Sequence, residues 1–334
     1  MSARRILVTG GSGFIGYHLT HRLSAYGVDE IVLVDNFQRG RLDEDFSALC
    51  EHDNIRLVTG DLRDPNTRSQ LGGGYQEVYH LAAMLGVANV LDRPVDVLRI
   101  NALMTAEVLE WFVAGGGEKL LFSATSEAYA WTQHFHPLPI PTPEDVPLAL
   151  TDLTNPRSTY AGSKVFGELC TTQYCLGAQK PFVITRYHNV YGPRMGYDHV
   201  IPQLYERAVG GEAPLKVYSA DHMRAFCFID DAVSATILAM RSDTGRNQTF
   251  NIGNDDEEVT IVDLAKRILA RSNVDVAIDS QPAANDPIGR RCPDVSKARR
   301  LLGYAPVVAL DEGLERTIAW YARHPRPLAS SATR

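Results

Sequence analysis

The stretch Arg5-Ile-Leu-Val-Thr-Gly-Gly-Ser-Gly-Phe-Ile-Gly16 decides the fold of this chain. It starts with a short apolar run typical of a buried strand, and the residues after it, with Leu19 and Leu23 four apart, show the pattern of a helix. Glycines at positions 10, 13 and 16 allow a tight turn and a close approach of the backbone to an anion at the start of that helix. The stretch therefore predicts a dinucleotide-binding turn.

A carboxylate follows the second predicted strand, at the distance that such a turn requires. The strand at residues 30–34 ends in Asp35, nineteen residues after Gly16. There the side chain can accept hydrogen bonds from the two hydroxyls of an adenosine ribose. Its charge would repel a 2′-phosphate, so we expect NAD rather than NADP, although Arg39 lies nearby.

Strand and helix patterns alternate along the first half of the chain. Apolar runs at residues 55–59, 77–81 and 182–186, and one beginning at 120, alternate with helical patterns, the longest at 94–114. This predicts an α/β fold with a doubly wound parallel (Rossmann) sheet. We expect residues 1–186 to form the NAD-binding domain. Residues 187–330 would form mainly a smaller mixed α/β substrate lobe, with some segments returning to the first domain and helices capped by Asp230 and Thr260.

The apolar run from residue 120 ends abruptly in Thr125-Ser126-Glu127. Two hydroxyls and a carboxylate at the carboxyl end of a buried parallel strand are typical of an active site. Tyr160 and Lys164 stand four apart in a helical pattern, so they share one helix face and can point at those hydroxyls. We expect the proline-rich loop between the two features, residues 137–156, to fold over the site.

The composition indicates a folded protein that handles small molecules. Its 334 residues are 45% hydrophobic and 22% charged, close to ordinary globular proteins. The net charge of −7 disfavours a nucleic acid partner. No apolar run reaches the roughly 18 residues of a membrane span, and the five scattered cysteines lack metal-ligand spacing. We therefore expect a cytoplasmic protein with reduced thiols, no metal site and no membrane partner.

The ordered motifs resemble the extended short-chain dehydrogenase/reductase family that modifies nucleotide sugars. The resemblance extends over nearly the whole chain and includes Tyr160-x-x-x-Lys164, Arg186-x-x-Asn189-Val190-Tyr191-Gly192-Pro193-Arg194 and Arg291-x-Pro293-Asp294. Within that family, Thr125-Ser126-Glu127 is similar to the triplet of the UDP-glucuronate decarboxylases and of the GDP-mannose dehydratases. The chain departs from the decarboxylase pattern at residues 84–92, and at 218–222, where the family usually has glycines.

The resemblance implies sets of cofactor and substrate contacts. The NAD-binding set is Gly10, Gly13, Phe14, Ile15, Gly16, Asp35, Asn36, Asp61, Leu62, Leu81, Ala82, Ala83, Asn101, Tyr160 and Lys164. The set for the nucleotide sugar is Asn189, Arg194, Val217, Tyr218, Arg224 and Arg291. Arginine suits a diphosphate because a guanidinium binds phosphate through two parallel hydrogen bonds. The resemblance also favours a UDP-linked sugar and a homodimer formed through the long helices.

Tyr160 is the candidate base. A tyrosine has an ordinary pKa near 10, and lowering that pKa to neutrality requires about 4 kcal/mol. A cation about 4 Å away supplies a similar amount, so Lys164, helped by the positive nicotinamide of NAD, suffices. Tyr160 would then remove the proton of a sugar 4-hydroxyl, Thr125 or Ser126 would hydrogen-bond the same oxygen, and hydride would pass from C4 to NAD.

The resulting 4-ketone leaves several outcomes open, of which decarboxylation is our prediction. A hexuronate would lose CO2, giving UDP-xylose or a UDP-4-keto-pentose, and the resemblance assigns acid–base help to Glu127 and a guiding or proton-donating role to Arg224. A neutral hexose would lose its C5 proton to Glu127 and water from C6. If Glu127 is only structural, 4-epimerisation follows. A non-catalytic NAD-binding sensor is a further hypothesis, disfavoured by the presence of Tyr160 and Lys164.

Overall fold

The computed structural model of the protein describes residues 4–134, 136–282 and 288–326. Its strands are β1 Arg5–Thr9, β2 Glu30–Asp35, β3 Ile55–Thr59, β4 Tyr75–His80, β5 Gly117–Thr125, β6 Phe182–Tyr187, β7 Val190–Tyr191, β8 Leu215–Tyr218, β9 Met223–Ala225, β10 Cys227–Phe228, β11 Gln248–Ile252, β12 Glu258–Thr260, β13 Ile278–Gln281 and β14 Arg290–Arg291.

The helices alternate with these strands through the first half of the chain. They are α1 Phe14–Ser24, α2 Glu44–Cys50, α3 Pro65–Leu71, α4 Val87–Asp92, α5 Pro94–Trp111, α6 Glu127–Ala130, α7 Arg157–Gly177, α8 Val200–Val209, α9 Ile229–Arg241, α10 Ile261–Ser272, α11 Ser296–Leu302 and α12 Leu310–Arg323. A π-helical turn, Phe112–Gly116, follows α5. In the described part of the chain, no helix has both the length and the apolar character needed to cross a membrane.

The predicted doubly wound sheet is confirmed. Seven strands pair in the order β11-β6-β5-β4-β1-β2-β3, all parallel. The winding reverses between β1 and β4, where Thr9 lies opposite His80. In open α/β sheets, ligands bind outside the carboxyl ends of the strands at such a reversal. The glycine turn follows β1 at this place.

Alternating side chains of the central strands enter two separate cores. Ile6 and Val8 of β1 pack in the larger core, which includes residues of α1 and α9. Leu7, between them, packs in the second core with Met104 and Val108 of α5. Because successive side chains of a strand point to opposite faces, helices cover both faces of the sheet. This explains why the strands appear in the sequence as continuous apolar runs.

The second half of the chain builds smaller sheets. β9 pairs with β12 and β14, β8 with β13, and β7 with β10. Strand β11 pairs with β6 in the main sheet. The division of the chain at residue 186 stays a prediction, and residues 327–330 of the predicted lobe lie outside the described ranges.

The two predicted helix caps have different outcomes. Thr260 caps α10 as expected, because its hydroxyl accepts a hydrogen bond from the Asp263 amide. The prediction for Asp230 is wrong. Helix α9 begins at Ile229 after Phe228, without a side-chain cap, and Asp230 instead forms an ion pair with Arg316. An aspartate in the first turn of a helix favours the helix through the helix dipole, just as an aspartate at the N-cap does. In a sequence, the two positions are therefore difficult to distinguish.

A buried ion pair joins α7 to the carboxyl end of β6. Glu168 accepts hydrogen bonds from Nε and Nη2 of Arg186 at 2.8 and 2.6 Å, and each side chain is less than a tenth exposed. Nη1 of Arg186 donates to the Tyr129 hydroxyl at 2.7 Å and to the Glu144 carbonyl at 3.0 Å. One buried cation therefore holds α7, α6 and the proline-rich loop together.

The Glu168→Gln variant should lower the free energy of unfolding by about 3–5 kcal/mol, because the Arg186 charge would remain buried without its carboxylate. Urea unfolding measures this as a lower midpoint at unchanged slope. The matched control is Asp230→Asn, which removes the same charge from the exposed pair with Arg316 and should change stability by less than about 1 kcal/mol. Equal losses in the two variants would contradict the role given to the buried pair.

Candidate active site

The glycine turn leaves no room for side chains at two of its positions. A Cβ at Gly16 would lie 2.1 Å from the Gly10 carbonyl oxygen, and one at Gly10, where φ is +73°, would lie 2.9 Å from the Ala82 backbone. Helix α1 follows at Phe14 without a side-chain cap. The first N–H groups of a helix have no partner within it and favour an anion. The turn therefore fits the pyrophosphate of a dinucleotide.

Acidic residues collect beside this turn, at the ends of β2 and β3. Asp35 accepts hydrogen bonds from the amides of Ser12 and Phe37 at 3.0 and 2.9 Å, which fixes its carboxylate against the turn. Asp61 forms an ion pair with Arg63 at 2.6 Å. Hydrogen bonding from Arg63 lowers the pKa of Asp61, and Asn36 also bonds to that carboxylate. Asp35, Asn36 and Asp61 thus fit the adenosine end of NAD.

Asn101 fixes the segment after β4. Its Oδ1 accepts from the Met84 amide at 2.7 Å, and its Nδ2 donates to the Met84 carbonyl at 2.9 Å and to Ser163 Oγ at 3.2 Å. It thereby links the chain beyond Leu81-Ala82-Ala83 to helix α7. Leu62 is buried, 4% exposed, so its side chain contributes packing at the edge of the same cleft.

The predicted triplet lies where β5 meets α6. Thr125 is the last residue of β5, and its hydroxyl accepts from the Glu127 amide at 3.2 Å. The Ser126 amide donates to the Tyr187 carbonyl at 3.1 Å. Glu127 opens α6 and forms an ion pair with Arg291, while 40% of its side chain stays exposed. The carboxylate of the triplet is therefore both charge-paired and accessible.

Lys164 is buried against β5. Its Nζ donates to the Ser123 carbonyl at 2.7 Å and lies 4.9 Å from the centre of the Phe122 ring. Burial lowers the pKa of Lys164 to about 7, with Glu168 opposing the change. The ammonium is thus close to its titration point at neutral pH, which makes it sensitive to any charge placed beside it.

The Tyr160 hydroxyl lies among groups that shift its pKa in opposite directions. Burial raises the pKa to about 12, Arg39 counteracts this, Glu127 adds to it, and hydrogen bonding with Thr125 counteracts it again. The structure thus brings Tyr160 together with Thr125 and Glu127, as the sequence predicts. Lys164 lies on the same face of α7 as Tyr160 and is buried against β5, and its role in activating Tyr160 together with the nicotinamide stays a prediction.

The predicted substrate residues divide into separate groups. Arg291 meets Glu127, whereas Arg224 donates to the carbonyls of Met223, Ile288 and Gly289. Arg194 lies elsewhere, in an ion pair with Asp43 at 2.9 Å and 4.0 Å from the centre of the Tyr17 ring.

Asn189, Val217 and Tyr218, the remaining members of the predicted substrate set, differ in exposure and in contacts. The Asn189 amide donates to the Ala225 carbonyl at 2.9 Å, which fixes β9. Val217 is fully buried in the core, so only its backbone can border a ligand, whereas Tyr218 is 57% exposed. Tyr218 is therefore the most exposed side chain of the predicted substrate set, and the set as a whole stays a prediction.

Sequence reasoning missed Ser123, Glu168 and the role of Arg39. Ser123 stands two residues before Thr125, so the strand period places both on one face. Glu168 stands four residues after Lys164, on the same face of α7. The sequence indicates Arg39 only as a possible contact for the 2′-phosphate of NADP. In the structure, its charge acts on Tyr160. Ser123 and Glu168 could have been found from their spacing to Thr125 and Lys164. No spacing in the sequence indicates Arg39.

A sequence model of the NAD dependent epimerase/dehydratase family matches residues 6–253. The UDP-N-acetyl-alpha-D-glucosaminuronate decarboxylase of Bacillus cytotoxicus is 32% identical, over 95% of this chain and 98% of its own length. The UDP-glucuronic acid decarboxylase 1 of Danio rerio is 33% identical, over 96% of this chain and 73% of its own length.

Solved structures show the same architecture. A dTDP-glucose 4,6-dehydratase from Streptomyces venezuelae, solved with NAD bound, superposes with a TM-score of 0.85 at 26% identity, covering 96% of this chain and 97% of its own. A UDP-glucose 4-epimerase from Thermotoga maritima, solved with UDP-glucose, superposes with a TM-score of 0.82 at 27% identity, covering 96% and 99%. These similarities confirm the predicted fold and cofactor.

The Lys164→Met variant should be more stable than the parent protein at pH 7, by at most about 4 kcal/mol. The folded pKa of Lys164 is about 7 and the unfolded value about 10.4, so the unfolded chain binds more protons between these values. The stability of the parent therefore rises with pH through this window, and the gain of the variant should shrink towards zero above about pH 10. Urea unfolding of NAD-stripped protein across this range tests it; a gain independent of pH would contradict the assignment.

Proposed function

The chain belongs to the NAD dependent epimerase/dehydratase family, and we propose that it decarboxylates UDP-glucuronate through a 4-keto intermediate, giving UDP-xylose or a UDP-4-keto-pentose. The observation that carries the proposal is the Glu127–Arg291 ion pair next to Thr125 and Tyr160. It provides an acid–base carboxylate and a guanidinium beside the groups suited to oxidising a sugar alcohol. The named decarboxylases among its relatives support the same activity.

The first step is oxidation at C4. Tyr160 removes the proton of the 4-hydroxyl while Thr125 hydrogen-bonds the same oxygen; bound NAD supplies the hydride acceptor. Because burial holds the pKa of Tyr160 at about 12, the tyrosinate needs nearby positive charge to form at neutral pH. Arg39 contributes to that charge, and we expect Lys164 to add to it when protonated.

The second step is loss of CO2. A ketone at C4 makes the C5 carboxylate part of a β-keto acid, so the C5–carboxyl bond breaks and its electrons pass to the C4 oxygen. Thr125 and Tyr160 already hold that oxygen and stabilise the enolate. Glu127 and Arg291 then govern the protonation at C5. Arg291 pairs with Glu127, which favours the charged guanidinium, so Arg291 suits a guiding role. The guiding or proton-donating role of Arg224 stays a prediction.

Binding of the nucleotide is assigned to the second half of the chain. We place the diphosphate near Arg224, with Asn189 fixing the strand that carries it and Tyr218 available to the base. Residues 187–330 would thus act mainly as the substrate lobe. Arg194, which pairs with Asp43, stays a predicted member of the substrate set.

A second candidate substrate is the 2-acetamido hexuronate named for the Bacillus cytotoxicus relative, which aligns over 98% of its length. Epimerisation and dehydration are the competing activities, because an epimerase and a dehydratase share this architecture. Mass spectrometry after incubation with a panel of UDP-glucuronate, UDP-N-acetylglucosaminuronate, UDP-glucose and GDP-mannose separates the three reactions. Loss of one CO2 supports the proposal, whereas unchanged mass or loss of one water favours epimerisation or dehydration.

The Glu127→Gln variant should form the UDP-pentose from UDP-glucuronate at least about 100-fold more slowly, as expected for loss of the acid–base group that governs protonation at C5. It should still form NADH in a single turnover, because oxidation at C4 does not use this carboxylate. The Tyr160→Phe control should form no NADH while NAD stays bound. If Glu127→Gln forms the UDP-pentose at the parent rate, Glu127 is only structural and its proposed role at C5 fails.

We also propose that the protein is a homodimer formed through α5 and α7. These helices expose apolar side chains at Val95, Leu98, Leu103, Phe166, Leu169 and Leu176. Apolar area of this kind on two adjacent helices is typical of a protein interface.

All five cysteines are free thiols, and on that basis we propose a cytoplasmic location.

The Leu169→Arg variant should shift the protein from dimer to monomer, because the new charge would be buried in the interface. Sedimentation velocity measures the mass directly. Val307→Arg is the control, since Val307 is 80% exposed and lies outside both helices. A parent protein that sediments as a monomer would refute this interface.

A further inference from the structure

Two segments run antiparallel across the carboxyl edge of the sheet. The strap loop, residues 36–43, joins β2 to α2, and the facing segment, residues 194–199, precedes α8. Side chains connect them at three levels: Arg39 Nη2 to His199 Nε2 at 3.0 Å, Arg41 over the Tyr197 ring at 4.2 Å, and Asp43 Oδ1 to Arg194 Nη1 at 2.9 Å. The first and second halves of the chain are therefore joined directly over the cofactor side of the fold.

The strap loop rests on the glycine turn. A Cβ at Gly40 would lie 1.7 Å from Ser12 Oγ, so the backbone of the loop is in contact with the turn. Asp35 fixes the start of the loop through the amides of Ser12 and Phe37. The Ser12 hydroxyl is buried and has no hydrogen-bond partner among the described residues. Arg39 therefore leaves the backbone beside the site that fits a pyrophosphate.

The charge of the Arg39 guanidinium acts on Tyr160, whose pKa it lowers. Burial, followed by the charge of Arg39, lowers the pKa of His199 to about 4. At neutral pH the His199 ring is therefore uncharged, and its Nε2 can accept the hydrogen bond from Arg39. A guanidinium carries five N–H donors in a planar fork, so donors remain for a phosphate.

We propose that Arg39 is a cofactor-binding residue that contacts the pyrophosphate of NAD and, through His199, latches residues 194–199 over it. The loop that carries this guanidinium rests on the glycine turn, and the guanidinium itself is held by His199 of the facing segment. The latch keeps NADH in place between the two hydride transfers that a redox-neutral reaction requires. The proposal rests on the cofactor of the family and not on the identity of the sugar.

The test follows exchange of bound radiolabelled NAD for unlabelled NAD in the purified holoenzyme, without any nucleotide sugar. Arg39→Gln should accelerate exchange about tenfold or more, the change expected for loss of about 1.4 kcal/mol of binding free energy. Arg39→Lys keeps the charge without the planar fork and should lie between the parent and Arg39→Gln. Arg41→Gln removes the same charge from the same loop and should stay within about threefold of the parent.

Two results would overturn the proposal. Exchange in Arg39→Gln within about threefold of the parent would show that the guanidinium does not hold the cofactor. Equal acceleration in Arg41→Gln would assign the effect to packing of the strap loop. If Arg39→Gln does not fold, the other two variants decide. NAD exchange at the parent rate in Arg39→Lys, together with faster exchange in Arg41→Gln, would also overturn the proposal. A failure of decarboxylation would leave these exchange rates unaffected, so the two proposals are tested separately.

Discussion

A guanidinium buried at the carboxyl end of β6 is tolerated only when acceptors surround it, and Arg186 finds them in Glu168, Tyr129 and the Glu144 carbonyl. Each acceptor comes from a different element of the site: the helix of Tyr160 and Lys164, the short helix opened by Glu127, and the proline-rich loop. The positions of the reacting groups therefore depend on one desolvated charge. Moving any of these elements alone would break a buried hydrogen bond.

Burial of the site also disfavours the charged forms of Lys164 and Tyr160. It lowers the pKa of Lys164 to about 7 and raises that of Tyr160 to about 12, so the protein by itself disfavours the charged pair that catalysis needs. Positive charge from the cofactor and from Arg39 acts against this tendency. Retention of the cofactor and activation of the base are thus linked, because both depend on charge placed in one desolvated cleft.

The parts of the site with local signatures could be predicted from the sequence. The glycine turn, Asp35 and the pair Tyr160–Lys164 each follow from spacing within one element or between consecutive elements, and the structure places them accordingly. The identity of the guanidinium beside Glu127 could not be predicted, because Arg291 reaches it from far along the chain. The pairing of Arg194 with Asp43 could not be predicted for the same reason. Such contacts depend on the tertiary path, which periodicity does not encode.

In the proposed mechanism, oxidation at C4 precedes and enables the loss of CO2. Incubation of the holoenzyme with UDP-glucuronate carrying deuterium at C4 tests this order most directly. We predict that deuterium appears in enzyme-bound NADH before CO2 is released, and that it returns to C4 in any reduced UDP-pentose. Release of CO2 while deuterium stays at C4 and never enters NADH would contradict the mechanism.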